Sequence, residues 1–276
     1  MVFAMTIIER SAGRSTFGTD PETYDWARPC YPDAVYDILR DVGGLKEGTR
    51  TFEVGAGTGI ATRRLLASGA HLVAVEPDAR LAAYLENALP HEHLRVERSA
   101  FEDADLPPAA FDLGVSATAF HWLEQAPSLA KAHRSLISGG WWAMWWNHYG
   151  DPEARDAFDH ATEHLFTGTK RSPWRGEPGK PAFDLDAGAR VADLAAAGFD
   201  NIGHRTLRST FTFETTRLVA LYGSFSVVLH LAPDRRAKFL NDLAEIIDRE
   251  FGDKVERPLT TSLYIGQRPL ATSSEP

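Results

Sequence analysis

The chain has one cysteine, Cys30, among 276 residues. A lone thiol closes no internal disulfide and furnishes no cysteine-rich metal site, and this scarcity fits a reducing, cytoplasmic setting. Long apolar runs are also missing: no stretch approaches the ~20 residues that cross a bilayer, so no membrane association is expected. The apolar start, Met1 to Ile8, has neither a basic leader nor an extended core before a small-residue cleavage site, so it does not read as a signal peptide. Positive charge is in deficit. Lys plus Arg number 29 against 38 Asp plus Glu, a net charge of −9, and an acidic surface repels phosphate backbones, which argues against a nucleic-acid partner. No phosphate loop of the form G-x-x-x-x-G-K-[ST] occurs, and no repeat of 20 to 50 residues or low-complexity tract is present. The hydrophobic fraction of 43% and charged fraction of 24% are ordinary for a folded chain, which excludes wholesale disorder and coiled coil.

What is present is an alternation. A helix opening at Pro32-Asp33 and closing at Gly43-Gly44 precedes it. Strands are predicted at Thr51–Val54, His71–Glu76, Leu94–Arg98, Phe111–Ser116 and Trp141–Trp146. Helices fall between them at Ile60–Ser68, Ala79–Leu89 and Leu123–Leu136, with a turn at Ser138–Gly140. This order predicts an α/β fold, doubly wound around a mostly parallel sheet with helices on both faces. Beyond Asn147 the pattern loosens. It gives a helix over Asp151–Phe166, a loop over Thr167–Pro181, and a helix over Ala187–Ala197. A strand over His204–Phe213, helices over Thr215–Leu231 and Arg235–Phe251, and a last strand over Pro258–Arg268 follow, which makes seven strands. The tail from Ala271 is expected to fray. The expectation is one domain, 1–276, with a ligand-binding core over 20–146 and a small helical cap inserted over 214–254, as a monomer or homodimer.

The informative stretch is Glu53-Val54-Gly55-Ala56-Gly57-Thr58-Gly59, between a strand and a helix. Glycines there let the chain turn tightly and a ligand approach the main chain. The dinucleotide fingerprint G-x-G-x-x-G/A is missed, because the sixth position from Gly55 is Ile60. Glu53, two residues before the first glycine, suits a cationic ligand rather than a pyrophosphate. Glu76 ends the next strand, 21 positions after Gly55, where a carboxylate accepts hydrogen bonds from ribose hydroxyls. The pocket therefore reads as one for a nucleoside with a positive appendage.

These residues resemble the class I S-adenosylmethionine-dependent methyltransferases. E-V-G-A-G-T-G at 53–59 matches the first motif of that family and V-E-P-D at 75–78, with Glu76 and Pro77, its second. Tyr24 to Pro32 (YDWARPCYP) resembles the N-terminal segment of the family, which implies that Tyr24 and Arg28 close over the methionine end of the cofactor, with Arg28 facing its carboxylate. Glu97 to Leu106 resembles the adenine-side motif and implies Ala100 and Phe101 as adenine neighbours. Ser116 to Leu123 (SATAFHWL) is similar to the S-x-x-x-F-H-W stretch of a subgroup that includes trans-aconitate methyltransferase-like enzymes, adding Ser116 to the cofactor residues. The implied fold is the Rossmann-like methyltransferase fold. The implied cofactor is S-adenosyl-L-methionine, and the implied acceptor a small organic metabolite, methylated at carboxyl or hydroxyl oxygen.

Residues at the carboxyl ends of strands complete the expected site, since ligands of open α/β sheets bind there. His121, after the fourth strand, is the candidate general base. Trp122, Trp146 and His148 are candidate substrate contacts, as are Tyr222 and Phe225 from the helical insertion. His160-Ala161-Thr162-Glu163-His164 spells H-x-x-E-H, the arrangement of one zinc hydrolase motif. It sits in an acidic amphipathic stretch, reads as a solvated helix face, and no metal is expected. A nucleoside-binding protein that retains the pocket without transferring a methyl group is the other alternative.

Overall fold

The computed structural model describes residues 6–175 and 179–271. The apolar start before Thr6, residues 176–178 of the expected loop, and the tail beyond Ala271 lie outside the described residues. The chain opens with α1 (Arg10–Arg14), α2 (Pro21–Ala27) and α3 (Asp33–Asp41). Asp20 starts α2 by accepting a hydrogen bond from the Thr23 amide, with Pro21 in the first turn, where its missing N–H costs nothing. The alternating half follows as β1 (Arg50–Val54), α4 (Thr62–Leu66), β2 (His71–Val75), α5 (Ala79–Ala88), β3 (Leu94–Glu97), β4 (Phe111–Ala117), α6 (Gln125–Ser135) and β5 (Leu136–Tyr149). The second half runs α7 (Ala157–Thr162), α8 (Ala187–Ala196), β6 (Asp200–Glu214), α9 (Thr215–Gly223), α10 (Ser226–Leu229), α11 (Pro233–Glu250) and β7 (Lys254–Gln267).

Seven strands form one sheet in the order β3-β2-β1-β4-β5-β7-β6. The first five pair in parallel, whereas β7 runs antiparallel to both β5 and β6. The strand order reverses direction at β1, between β2 and β4, so the loop after β1 opens at the topological switch point where such sheets bind ligands. Both faces are packed, as a mostly parallel sheet requires. Phe52, Trp142, Met144, Trp146 and Tyr264 share one core cluster, and Leu65, Val115, Trp145 and Leu263 another. The tryptophan-rich strand thus divides by alternation: Trp142 and Trp146 face one side and Trp145 the other.

Several boundaries differ from expectation, each for a local reason. β5 begins at Leu136, and the expected turn at Ser138–Gly140 is an irregularity inside the strand, where the pairing shifts between Phe111–Leu136 and Leu113–Trp141. The helix expected over Asp151–Phe166 starts only at Ala157, because Asp156 and Asp159 form a reciprocal capping box there. The helix expected over Thr215–Leu231 is two helices. Ser224 Oγ donates to the Leu221 carbonyl at 2.6 Å, competing with the helical ladder, and Phe225 takes an extended conformation before α10. Between β6 and β7, α9 and α11 pack on each other, and Leu218, Leu221, Leu243 and Ile247 share a third cluster with Phe213.

Candidate active site

The loop from Gly55 to Gly59 leaves β1 at the carboxyl edge of the sheet. Gly55 has φ +73°, and a Cβ there would lie 2.4 Å from the Ala119 Cβ, so glycine lets the loop after β4 come within contact. Gly59 has φ +90°, and its Cβ would meet Leu85 and Leu89 at 2.6 and 2.9 Å. Gly59 was expected to touch a ligand. It is off the cavity wall and instead lets the turn lie flat on α5.

Two carboxyl groups flank this loop. Glu76 Oε2 accepts from the Gly57 N–H at 2.8 Å and Oε1 from the Asp78 N–H at 2.9 Å. Glu53 Oε2 accepts from Thr62 Oγ1 at 2.6 Å. Both side chains are buried, and desolvation pushes their pKa values up, to about 8 for Glu53 and about 7 for Glu76. Each carboxyl therefore sits where a cation or hydroxyl donors would stabilise its charged form. Thr58 Oγ1 is buried beside them and has no hydrogen-bond partner among the described residues.

A single cavity of about 830 Å³ runs from this loop across the ends of β4 and β5, within the range of small-molecule sites. Tyr24, Arg28, Glu53, Gly55, Ala56, Gly57, Glu76, Pro77 and Phe101 line its first part. The Arg28 guanidinium lies 4.3 Å from the Tyr24 ring centroid and donates to Ser224; among the described residues no carboxylate pairs with it. The N-terminal segment closes this part. Arg14 spans from the Glu102 carboxylate to the Trp122 carbonyl, and Phe17 packs edge-on against Tyr24 and Trp122.

His121, Trp122, His148, Tyr149, Tyr222 and Phe225 line the second part. His121 does not have the geometry of the expected base. Its Nδ1 accepts from Trp146 Nε1–H at 3.0 Å, and an indole nitrogen can only donate. The neutral ring therefore carries its proton on Nε2 and has no free lone pair. Burial, with the charges of Arg28 and Arg10, lowers its pKa to about 3, so the ring stays neutral and acts as an N–H donor.

Three further residues lie away from the places expected of them. Trp146 is fully buried behind His121 and is off the cavity wall, so it orients the imidazole rather than touching a substrate. Ser116 is buried within the sheet, where its Oγ donates to the Val54 carbonyl at 2.9 Å and ties β4 to β1. Ala100 is off the wall and its carbonyl closes the turn to Asp103 and Ala104, whereas its neighbour Phe101 both lines the cavity and stacks on Phe52.

Sequence reasoning missed Thr118, a β-branched residue at φ +54° on the cavity wall, whose Oγ1 lies 2.8 Å from the Tyr31 hydroxyl. Such strain clusters at functional sites, but no sequence pattern announces it. Asp184 was missed too, as it sits in a stretch without periodicity. The H-x-x-E-H residues are split, since α7 ends at Thr162 and His164 lies in a 3-10 turn, with both histidines exposed and Glu163 paired with Arg155 at 2.5 Å.

Residues 52–144 match the family model described as a methyltransferase domain. Those residues carry a methyltransferase domain. Over 92% of its length it is 27% identical to an uncharacterized methyltransferase of Schizosaccharomyces pombe, covering 97% of that protein. The fold is shared with a proposed type II methyltransferase from Anaeromyxobacter dehalogenans, with a TM-score of 0.65, 20% identity, and 88% and 99% of the two chains covered. It is also shared with phosphoethanolamine N-methyltransferase 2 of Haemonchus contortus, solved with S-adenosylhomocysteine, with a TM-score of 0.57, 13% identity, and 93% and 60% covered. Among the described residues no helix is long and apolar enough to cross a membrane.

Proposed function

We propose that this methyltransferase moves a methyl group from S-adenosyl-L-methionine to an oxygen of a small organic metabolite. The observation that carries the reading is the continuity of the cavity. The Gly55–Gly57 loop and Glu76 stand at one end, and an aromatic chamber containing two histidines at the other, with no wall between. The first part suits the cofactor by its own chemistry. Glu76 keeps lone pairs for a ribose diol beyond the two amides it already holds. Glu53 supplies a buried carboxyl for a cation, and Arg28 a guanidinium for a carboxylate. When bound there, S-adenosylmethionine supplies a methyl group on a positively charged sulfur.

The tasks left to the chain are positioning and exclusion of water. Tyr222 and Phe225 wall the acceptor end with apolar surface, and the Nε2–H of His121 offers a hydrogen bond to an acceptor oxygen. Lys170 and Arg171 also line this end; among the described residues no carboxylate pairs with their side chains, which suits an acceptor that carries negative charge. Incubating the protein with methyl-labelled S-adenosylmethionine and a metabolite extract tests the reading. Label should appear in a small product, and alkaline hydrolysis sorts esters from ethers. Tight S-adenosylhomocysteine binding with no transfer to any metabolite would instead support a retained pocket without transferase activity.

A further inference from the structure

The His148 imidazole lines the acceptor end of the cavity, and its Nδ1 lies 3.5 Å from Asp184 Oδ2. Asp184 is fully buried, and neither carboxylate oxygen has a hydrogen-bond partner among the described residues; His148 Nδ1 has none either. Burying a carboxylate without a partner is strongly unfavourable, so a native carboxylate in this position asks for an explanation. The nearby guanidinium of Arg190 is taken by Asp193 and the Phe183 carbonyl. The imidazole is the group facing the carboxylate at ion-pair distance.

The surroundings fix both members. The Tyr264 hydroxyl donates to the Asp184 carbonyl at 2.7 Å, and the Phe183 N–H donates to the Trp174 carbonyl at 2.7 Å. Trp174 lies against the His148 ring, with centroids 5.0 Å apart and planes 35° apart. His148 itself stands on β5, paired with Thr260 of β7, so a rigid strand presents the ring to the cavity.

We propose that His148 is the general base of the reaction and that Asp184 is its positioning residue. The proposal rests on the methyl-transfer reading and deepens it. A carboxylate beside Nδ1 holds the proton there, which leaves the Nε2 lone pair for an acceptor. The two cavity histidines then have opposite tautomers: His121 donates from Nε2–H and His148 accepts at Nε2. In the reaction the acceptor O–H bond breaks and its proton goes to His148 Nε2. The oxygen forms its new bond to the methyl carbon as the C–S electron pair stays on sulfur. The resulting imidazolium is neutralised by Asp184, and its proton returns to solvent after product leaves. This assigns the acceptor as a hydroxyl, because a carboxylate arrives already deprotonated and needs no base.

Nitrogen-15 NMR of histidine-labelled protein tests the dyad without turnover. At a pH where the ring is neutral, the His148 signals, assigned by their loss in H148Q, should report a proton on Nδ1. D184N should abolish that signature and leave the His121 signals in place; W146F should do the reverse. In turnover of the labelled cofactor with the extract, H148Q should lower kcat/KM by about 100-fold and D184N by about 10-fold. S-adenosylhomocysteine affinity and melting temperature should stay near wild type, and the product should be an alkali-stable ether. An Nε2–H tautomer at His148, or full activity of a folded H148Q, overturns the dyad even if wild type transfers methyl groups. A wild type with the expected tautomers and no transfer sinks the transferase reading instead.

Discussion

Glu53 shows how a single buried group ties the site to stability. Its pKa is raised from 4.5 to about 8, chiefly by desolvation, with Thr62 opposing and Glu76 adding. Between those two values the folded state holds a proton that the unfolded state has lost, so stability falls as pH rises through the window. The ligand-free protein should accordingly lose melting temperature relative to E53Q between pH 5 and pH 8.5, by roughly 5 °C. Parallel melting curves of the two proteins would show that Glu53 is not the source. At this scale the sequence was legible where a motif sets both residue and place: Glu53, Gly55, Gly57 and Glu76 meet around one loop. It was not legible where the role depends on the partner. Nothing in the text places the Trp146 indole behind His121, or Asp184 beside His148, and those contacts decide which ring donates and which accepts.

The elements divide in the same way. Glycine-punctuated alternation marks β1, β2 and β4 because a buried parallel strand must be apolar and its helix must start within a few residues. The helical insertion is legible as helix but not as to what it covers, since periodicity reports burial and not the partner. In the structure α9, α10 and the short link between them turn Tyr222, Phe225, Ser226 and Val227 toward the cavity, while α11 backs them from outside. Arg257 of β7, fully buried, bridges Asp156 and Asp159 at the start of α7, and so holds the loop after β5 against the same chamber. We expect Y222A and F225A to raise the acceptor KM or change the product by about tenfold, with S-adenosylhomocysteine affinity within about twofold of wild type. Loss of cofactor binding with unchanged acceptor choice would place these side chains in the other half of the cavity.

At the scale of the whole molecule, the sheet brings three separated regions to one edge. The N-terminal segment reaches over the cavity through Arg14, the β1 loop lies at the strand switch, and the β6–β7 insertion closes the acceptor end. The first two are visible in the sequence, by the match of Tyr24–Pro32 and of residues 53–59 to known motifs. The shape of the third arises only on folding, from the break at Ser224 and the packing of α9 on α11. Every role proposed above requires a cofactor at the nucleoside end of the cavity, and calorimetric titration with S-adenosylhomocysteine reads that end directly. Wild type should bind one equivalent, and E76A should lose about 1.5–3 kcal/mol of binding free energy while keeping its fold, as expected for loss of charge-assisted hydrogen bonds. Unchanged affinity in folded E76A, or no binding by wild type, would contradict the assignment of this cavity to the cofactor.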